Sequence, residues 1–192
     1  MKTMLRSCLC LFMLLTVITG IGYPVAVTGL AKLAYPKQAV GSLIYKNDQV
    51  IGSELIGQNF TDPKYFWGRP SATAPQPNNG VASGGSNQGP LNPALVDAVK
   101  GRVEALHAVD PDNKQTIPAD LVMSSASGLD PEISPAAAKY QAARIAKLRK
   151  INEDQVMALI AQHTHARQLG IFGEPRVNVL MLNLALDAKE HS

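Results

Sequence analysis

Ser83-Gly84-Gly85-Ser86 is the run in this chain best suited to holding an anion. Consecutive backbone N–H groups in a glycine-rich turn can cradle a phosphate. No lysine follows the run and no helix start adjoins it, so a plain flexible turn stays open as the other reading. His163 and His165 are the two histidines closest together. On a helix, positions i and i+2 point about 200° apart, so this pair cannot grip one ion from one face. His107 and His191 stand alone. Ser124, Ser125 and Ser127 fall in a Gly-Asp-Pro turn, and no serine sits in a Gly-x-Ser-x-Gly elbow. Glu153-Asp154 reads as a helix start, and Asp110 with Asp112 as a turn. No catalytic residue and no metal site is therefore predicted. The sequence describes a domain without a self-sufficient active site.

The elements that position these residues begin with a membrane anchor. The 25 residues from Ser7 to Ala31 carry no charge. A hydrocarbon core of about 30 Å needs about 20 apolar residues in a helix, and the chain supplies such a run once. Lys2 and Arg6 precede it and Lys32 follows. No Ala-x-Ala cleavage site interrupts it, and apolarity continues through Val25, Val27 and Leu30, which favours a retained helix over a signal peptide. The short, acid-free N-terminal tail favours an inside N-terminus and an extracytoplasmic domain. Pro24 is expected to kink this helix or mark its outer end. Thr16 with Gly20, and Gly22 with Ala26, have the spacing that lets other membrane helices approach closely.

Charge excludes a second class of function. All 15 acidic residues lie beyond residue 34, with 15 of the 18 basic ones. The net charge of +3 thus comes from Lys2, Arg6 and Lys32 beside the membrane. That is a lipid-flanking pattern, not a nucleic-acid footprint. Both cysteines, Cys8 and Cys10, belong to the anchor, which leaves the polar part without a disulfide or a cysteine metal site.

The polar part reads as α+β. Gly41-Ser-Leu-Ile-Tyr45 and Val50-Ile-Gly-Ser-Glu-Leu-Ile56 flank an Asn-Asp turn and predict a β-hairpin. Phe60, Tyr65, Phe66 and Trp67 predict a core patch under the sheet. Residues 70–93 form a long Pro/Gly-rich loop without charge, and loops of that length are either functional or disordered. Asn92-Pro93, Ser134-Pro135 and Asn152 with Gln155 each announce a helix. The expected inner faces are Leu95, Val99, Val103 and Leu106, then Ala138, Ala142, Ile145 and Leu148, then Val156, Leu159 and Ile160. The third helix is expected to end at Gly170. Residues 117–123 allow a short strand or turn. Val177–Leu186 predicts a buried last strand, turning helical near its end. The fold class is therefore a single N-terminal transmembrane helix over residues 1–34 and one small α+β domain over 35–192.

Several motifs in order resemble a known family. They are Gly41-Ser-Leu-Ile, Leu55-Ile-Gly-Gln-Asn-Phe60, Tyr65-Phe66-x-Gly-Arg-Pro-Ser-Ala72, Ala82-Ser-Gly-Gly-Ser-Asn87, Ser125-Ala-Ser-Gly-Leu-Asp130 and the run from Val177 to Asp187. Together they are similar to the C-subunit family, KdpC, of the bacterial high-affinity ATP-driven potassium transporter. The resemblance implies a non-catalytic subunit in the inner membrane. Its partners would be a potassium-translocating channel-like subunit, a P-type ATPase subunit, a small membrane peptide and membrane lipid, with no nucleic acid. It implies a role in assembly, and a catalytic-chaperone role that raises the ATPase subunit's affinity for ATP. ATP would then be contacted transiently, in a ternary complex, and no cofactor would be bound permanently. The Ser-Gly-Gly-Ser stretch resembles part of a transport-ATPase signature. Gln58, Asn59 and Arg69, with Ser83, Gly84, Gly85 and Ser86, are accordingly candidate nucleotide or partner contacts. An independent membrane-anchored binding module is the alternative.

Overall fold

The structure, a computed structural model, describes residues 2–190. It divides into two compact units, Met1–Ile51 and Gly52–Ser192. His191 lies outside the described residues.

The first unit is dominated by one continuous helical rod from Lys2 to Ala34. Helix α1 (Lys2–Val17) runs into a π turn (Ile18–Gly22) and then α2 (Tyr23–Ala34). At 1.5 Å per residue the rod is about 50 Å long, enough to cross the hydrocarbon with turns to spare on either side. Leu11, Phe12, Leu14, Leu15 and Ile18 are all at least half exposed. A helix that is apolar all round belongs in a protein core or a membrane span, and this one is long and apolar enough to cross a membrane. Pro24 does not end the helix. It lacks the N–H that would bond Gly20, and the turn before it widens, with the Tyr23 N–H reaching back five residues to Ile18 O. Thr19 Oγ1 also donates to Leu15 O at 2.7 Å. Gly20 lies directly under Thr16, where an added Cβ would sit 4.0 Å from Thr16 Cγ2. A short helix α3 (Pro36–Ala39) leads into the predicted hairpin, β1 (Leu43–Lys46) with β2 (Gln49–Ser53). Asn47 and Asp48 both take positive φ, 51° and 60°, the conformation a two-residue hairpin turn demands and these two residue types tolerate.

The second unit packs helices around a small antiparallel sheet. Helix α4 (Pro93–Val109) is followed by a 3-10 turn (Ala119–Leu121), β3 (Glu132–Ile133), α5 (Pro135–Arg149), α6 (Glu153–Gln162), β4 (Thr164–His165), β5 (Arg176–Asn178) and α7 (Val179–Glu190). The three strands lie in the order β3-β5-β4, with Ile133 and Thr164 both opposite Val177. The predicted caps form. Asn92 accepts from the Ala94 N–H, Ser134 from the Ala137 N–H and Asn152 from the Asp154 N–H. The core joins Ile133 and Val177 of the sheet to Ala138, Ala142 and Ile145 of α5, Val156, Leu159 and Ile160 of α6, and Leu182 and Leu186 of α7. Alanine at four inner positions of α5 lets its neighbours approach closely.

Three expectations are corrected here. The last strand has three residues, because Asn178 turns the chain into a helix, its Oδ1 accepting from Met181 N at 3.1 Å. Helix α6 stops at Gln162, well before Gly170, so His163 closes the helix and His165 lies on β4. Of the strand and the turn that residues 117–123 allow, the chain takes the turn, a 3-10 turn at Ala119–Leu121. On α5, Leu148 is outside and Arg149 is buried instead. The long loop carries its own bonds. Ser71 Oγ donates to Gly128 O at 2.7 Å and accepts from Asn78 N at 2.9 Å. Thr73 Oγ1 donates to Gln76 O at 2.7 Å and accepts from Asn79 N at 3.0 Å.

Candidate functional site

A turn at residues 63–65 followed by an irregular segment, residues 66–70, is the scaffold of the site. It belongs to no sheet, yet its buried backbone groups must be paired. Two amide side chains do this by imitating a strand. Asn183 on α7 accepts from Phe66 N at 2.9 Å and donates to Phe66 O at 3.0 Å. Gln141 on α5 accepts from Trp67 N at 2.8 Å and donates to Trp67 O at 3.1 Å. Both amides are almost fully buried, as is Phe66. The aromatic patch therefore packs on α5 and α7 and not under the sheet.

Two arginines extend the clamp. Arg144 Nη1 donates to Pro63 O, and its Nη2 to Tyr65 O at 3.2 Å and to Gln141 Oε1 at 2.7 Å. Its guanidinium lies 5.0 Å from the centre of the Trp67 ring. Burial pulls its pKa down to about 10, against the pull of Asp110, so it stays charged at neutral pH. Arg149 Nε donates to Lys64 O at 2.8 Å, and its Nη2 meets Asp187 Oδ1 at 2.8 Å. Tyr65 Oη donates to the other oxygen of Asp187 at 3.2 Å.

The clamp presents Trp67, Gly68 and Arg69 to a pocket of about 300 Å³. Phe60, Trp67, Leu106 and Leu121 supply apolar wall, and Gln58, Asn59 and Asn78 supply amides. Arg69 and Arg102 line it too, and among the described residues no carboxylate does. Arg69 Nη1 pairs with Asp130 Oδ2 at 3.0 Å, and its Nη2 approaches Ser124 O at 3.5 Å. Arg69 Nε is buried without a hydrogen-bond partner. Arg102, from α4, donates to Val122 O at 2.6 Å and Ser124 Oγ at 3.1 Å. Burial lowers the pKa of Arg102 from its ordinary value.

Three of the candidate contacts, Gln58, Asn59 and Arg69, thus share one pocket. Ser83, Gly84, Gly85 and Ser86 do not line it. The Gly84 N–H is spent on Ser127 O at 2.8 Å, and Ser83 Oγ donates to the same oxygen at 3.1 Å. Gly85 lies so close to residue 126 that an added Cβ would sit 2.8 Å from Ala126 O. The run is accordingly a packing contact between two loops, with fewer N–H groups left for an anion. Thr16, Gly20, Gly22 and Ala26 belong to the other unit, on the N-terminal helical rod. Among the described residues, no three His, Cys, Asp or Glu side chains gather as a metal site.

A family model described as "K+-transporting ATPase, c chain" (KdpC) matches residues 5–188. The chain belongs to the KdpC family. Its relatives include a protein of Polynucleobacter asymbioticus, 72% identical over 97% of this chain and 99% of its own length. Others are from Dechloromonas aromatica, 65% identical over 98% of each chain, and Variovorax paradoxus, 64% identical over 98% of this chain and 97% of its own. All three are named potassium-transporting ATPase KdpC subunits.

Sequence reasoning missed Arg102, Gln141, Arg144, Arg149 and Asn183. One signal was present. Gln141 stands between Ala138 and Ile145 on an otherwise apolar helix face, and Asn183 interrupts a leucine run. A polar residue on a buried stripe must have a partner, but nothing local says which.

Proposed function

We propose that this chain is a non-catalytic subunit of a potassium-transporting P-type ATPase in the bacterial inner membrane. Its rod, Lys2–Ala34, is the single transmembrane anchor, and its polar domain lies on the extracytoplasmic side. It assembles with the channel-like potassium-translocating subunit, the ATPase subunit and a small membrane peptide, and supports their assembly. The observation that carries this reading is a family match over nearly the whole chain, joined to one helix long and apolar enough to cross a membrane.

The chain also raises the affinity of the ATPase subunit for ATP. An extracytoplasmic domain has no access to cytoplasmic nucleotide, so the effect passes through the membrane subunits as a coupling free energy. A tenfold gain in affinity needs only about 1.4 kcal/mol. Transient contact of ATP with Gln58, Asn59, Arg69 or Ser83–Ser86 is the competing mechanism, and it requires a cytoplasmic domain.

The test is purification through a C-terminal tag in mild detergent, followed by ATPase assays with and without this chain. Recovery of a channel-like subunit and a P-type ATPase, with a higher KM for ATP when the chain is omitted, is the expected result. Recovery of the chain alone while those subunits are expressed overturns the reading in favour of an independent binding module.

A further inference from the structure

The Arg69–Arg102 pocket holds more positive charge than it neutralises. Two guanidinium groups converge on one residue, Ser124, Arg69 on its carbonyl and Arg102 on its hydroxyl. One carboxylate, Asp130, serves Arg69 at 3.0 Å. Among the described residues, Arg102 is bonded to two neutral oxygens, those of Val122 and Ser124. Bringing like charges together beside apolar walls costs free energy unless an anion answers them. One charge is left over, so a monoanion balances the site, whereas a dianion would introduce an unmatched charge of its own. The walls are not those of a bare ion site either. Phe60, Trp67, Leu106 and Leu121 offer a surface for an apolar body beside the charge, and the amides of Asn59 and Asn78 can orient a polar head.

We propose that this pocket binds a carboxylate carried on a compact apolar body, held by Arg102 with Trp67 against the apolar part. That chemistry has two sources. It can be an acidic side chain beside an apolar one, presented by another polypeptide of the complex, or a free small organic acid.

Trp67 is the chain's sole tryptophan and lies in the pocket wall, so it reports occupancy directly. The full chain in lipid nanodiscs is titrated with 4-fluorophenylacetate, following Trp67 emission and the fluorine resonance of the probe. The expected result is a saturable change in both, about tenfold or more weaker in Arg102→Gln and largely retained in Arg102→Lys, because charge-assisted bonds are the strong ones. The neutral isostere 4-fluorophenylacetamide gives no saturable change, which tests the charge requirement with no substitution at all. An equal response to the amide, displacement of the probe by inorganic phosphate, or no saturable response to the carboxylate overturns the proposal. The fluorine signal is then read in the purified complex. A pocket that binds the probe in the free chain but is closed to it after assembly takes a partner's side chain. A pocket that binds it equally in both takes a free acid.

Discussion

Asn183→Leu tests the physical account of the scaffold most directly. The two side chains are similar in size, so the change removes two hydrogen bonds with little change in packing. The Phe66 N–H and C=O, bonded at 2.9 and 3.0 Å, lose their partner. Phe66 is 0% exposed and Asn183 2%, so water cannot replace it without opening the core. Each stranded group costs about 1–3 kcal/mol. Burying an apolar leucine where an amide stood returns about 1–2 kcal/mol. At the middle of these ranges two stranded groups cost about 4 kcal/mol and the leucine returns about 1.5, for a net loss of about 2.5 kcal/mol. Gln141→Leu strands the Trp67 pair and also deprives Arg144 of a charge-assisted bond, so it should cost about 3–5 kcal/mol. Because Phe66 and Trp67 are adjacent, the double variant should lose less than the sum, the strand having already peeled away after the first change. Urea unfolding of the full chain in detergent, followed by Trp67 emission, measures all three. A cost for Asn183→Leu below about 1 kcal/mol, with Trp67 emission unchanged, would refute the idea that these amides stand in for a missing strand.

Gly85→Ala places a Cβ 2.8 Å from Ala126 O, while at Gly84 an added Cβ meets nothing within 4 Å. The first should destabilise by about 1–3 kcal/mol, and the second should change stability by less than about 0.5 kcal/mol, both read by thermal unfolding. Gly128→Ala is worse, since Gly128 has φ +67° and its Cβ would lie 2.6 Å from Gly84 O; a cost of about 2–4 kcal/mol is expected, and near-neutrality would discount the contact between the two loops. Arg149→Met removes the cation that meets Asp187 at 2.8 Å, and because the Arg149 side chain is 1% exposed, it should cost about 3 kcal/mol, checked by the urea midpoint. Burial, reinforced by the His165 charge, holds the His163 imidazole below its ordinary 6.5. The unfolded chain therefore takes up this proton first, so stability is full above about pH 6.5 and declines on acidification until the folded imidazole titrates too. His163→Gln should flatten that decline between about pH 7.5 and 5.5, and an unchanged slope would remove His163 as its source.

What was legible in the sequence was local. Asn92, Ser134 and Asn152 are N-caps because a short polar side chain can reach the next turn's N–H, whatever surrounds it. The Asn47-Asp48 turn follows from two residues that tolerate positive φ. The inner faces of α4 and α6 follow from a 3.6-residue period. The last strand was misread because Val177–Leu186 is apolar enough for either state. The strand length was settled by its partners, β3 and β4, each of two residues. Asn178 was the overlooked cap, and Leu182 and Leu186 the overlooked helical spacing.

The amino-acid sequence by itself determined the long apolar helix, the helix starts and, through its ordered motifs, the family. Those features depend on neighbours within a turn or two, or on composition alone. Tertiary structure decided which polar residues turn inward. Leu148 and Arg149 are adjacent on α5, and the helical period admits either to the core. Arg149 is buried because Lys64 O and Asp187, distant in sequence, need its donors there. The pocket is likewise a product of long-range packing, since Arg69 and Arg102 meet at Ser124 only when the irregular segment, α4 and the 124–130 loop are folded together. A surplus charge of that kind cannot be seen in a composition whose charges beyond the anchor balance.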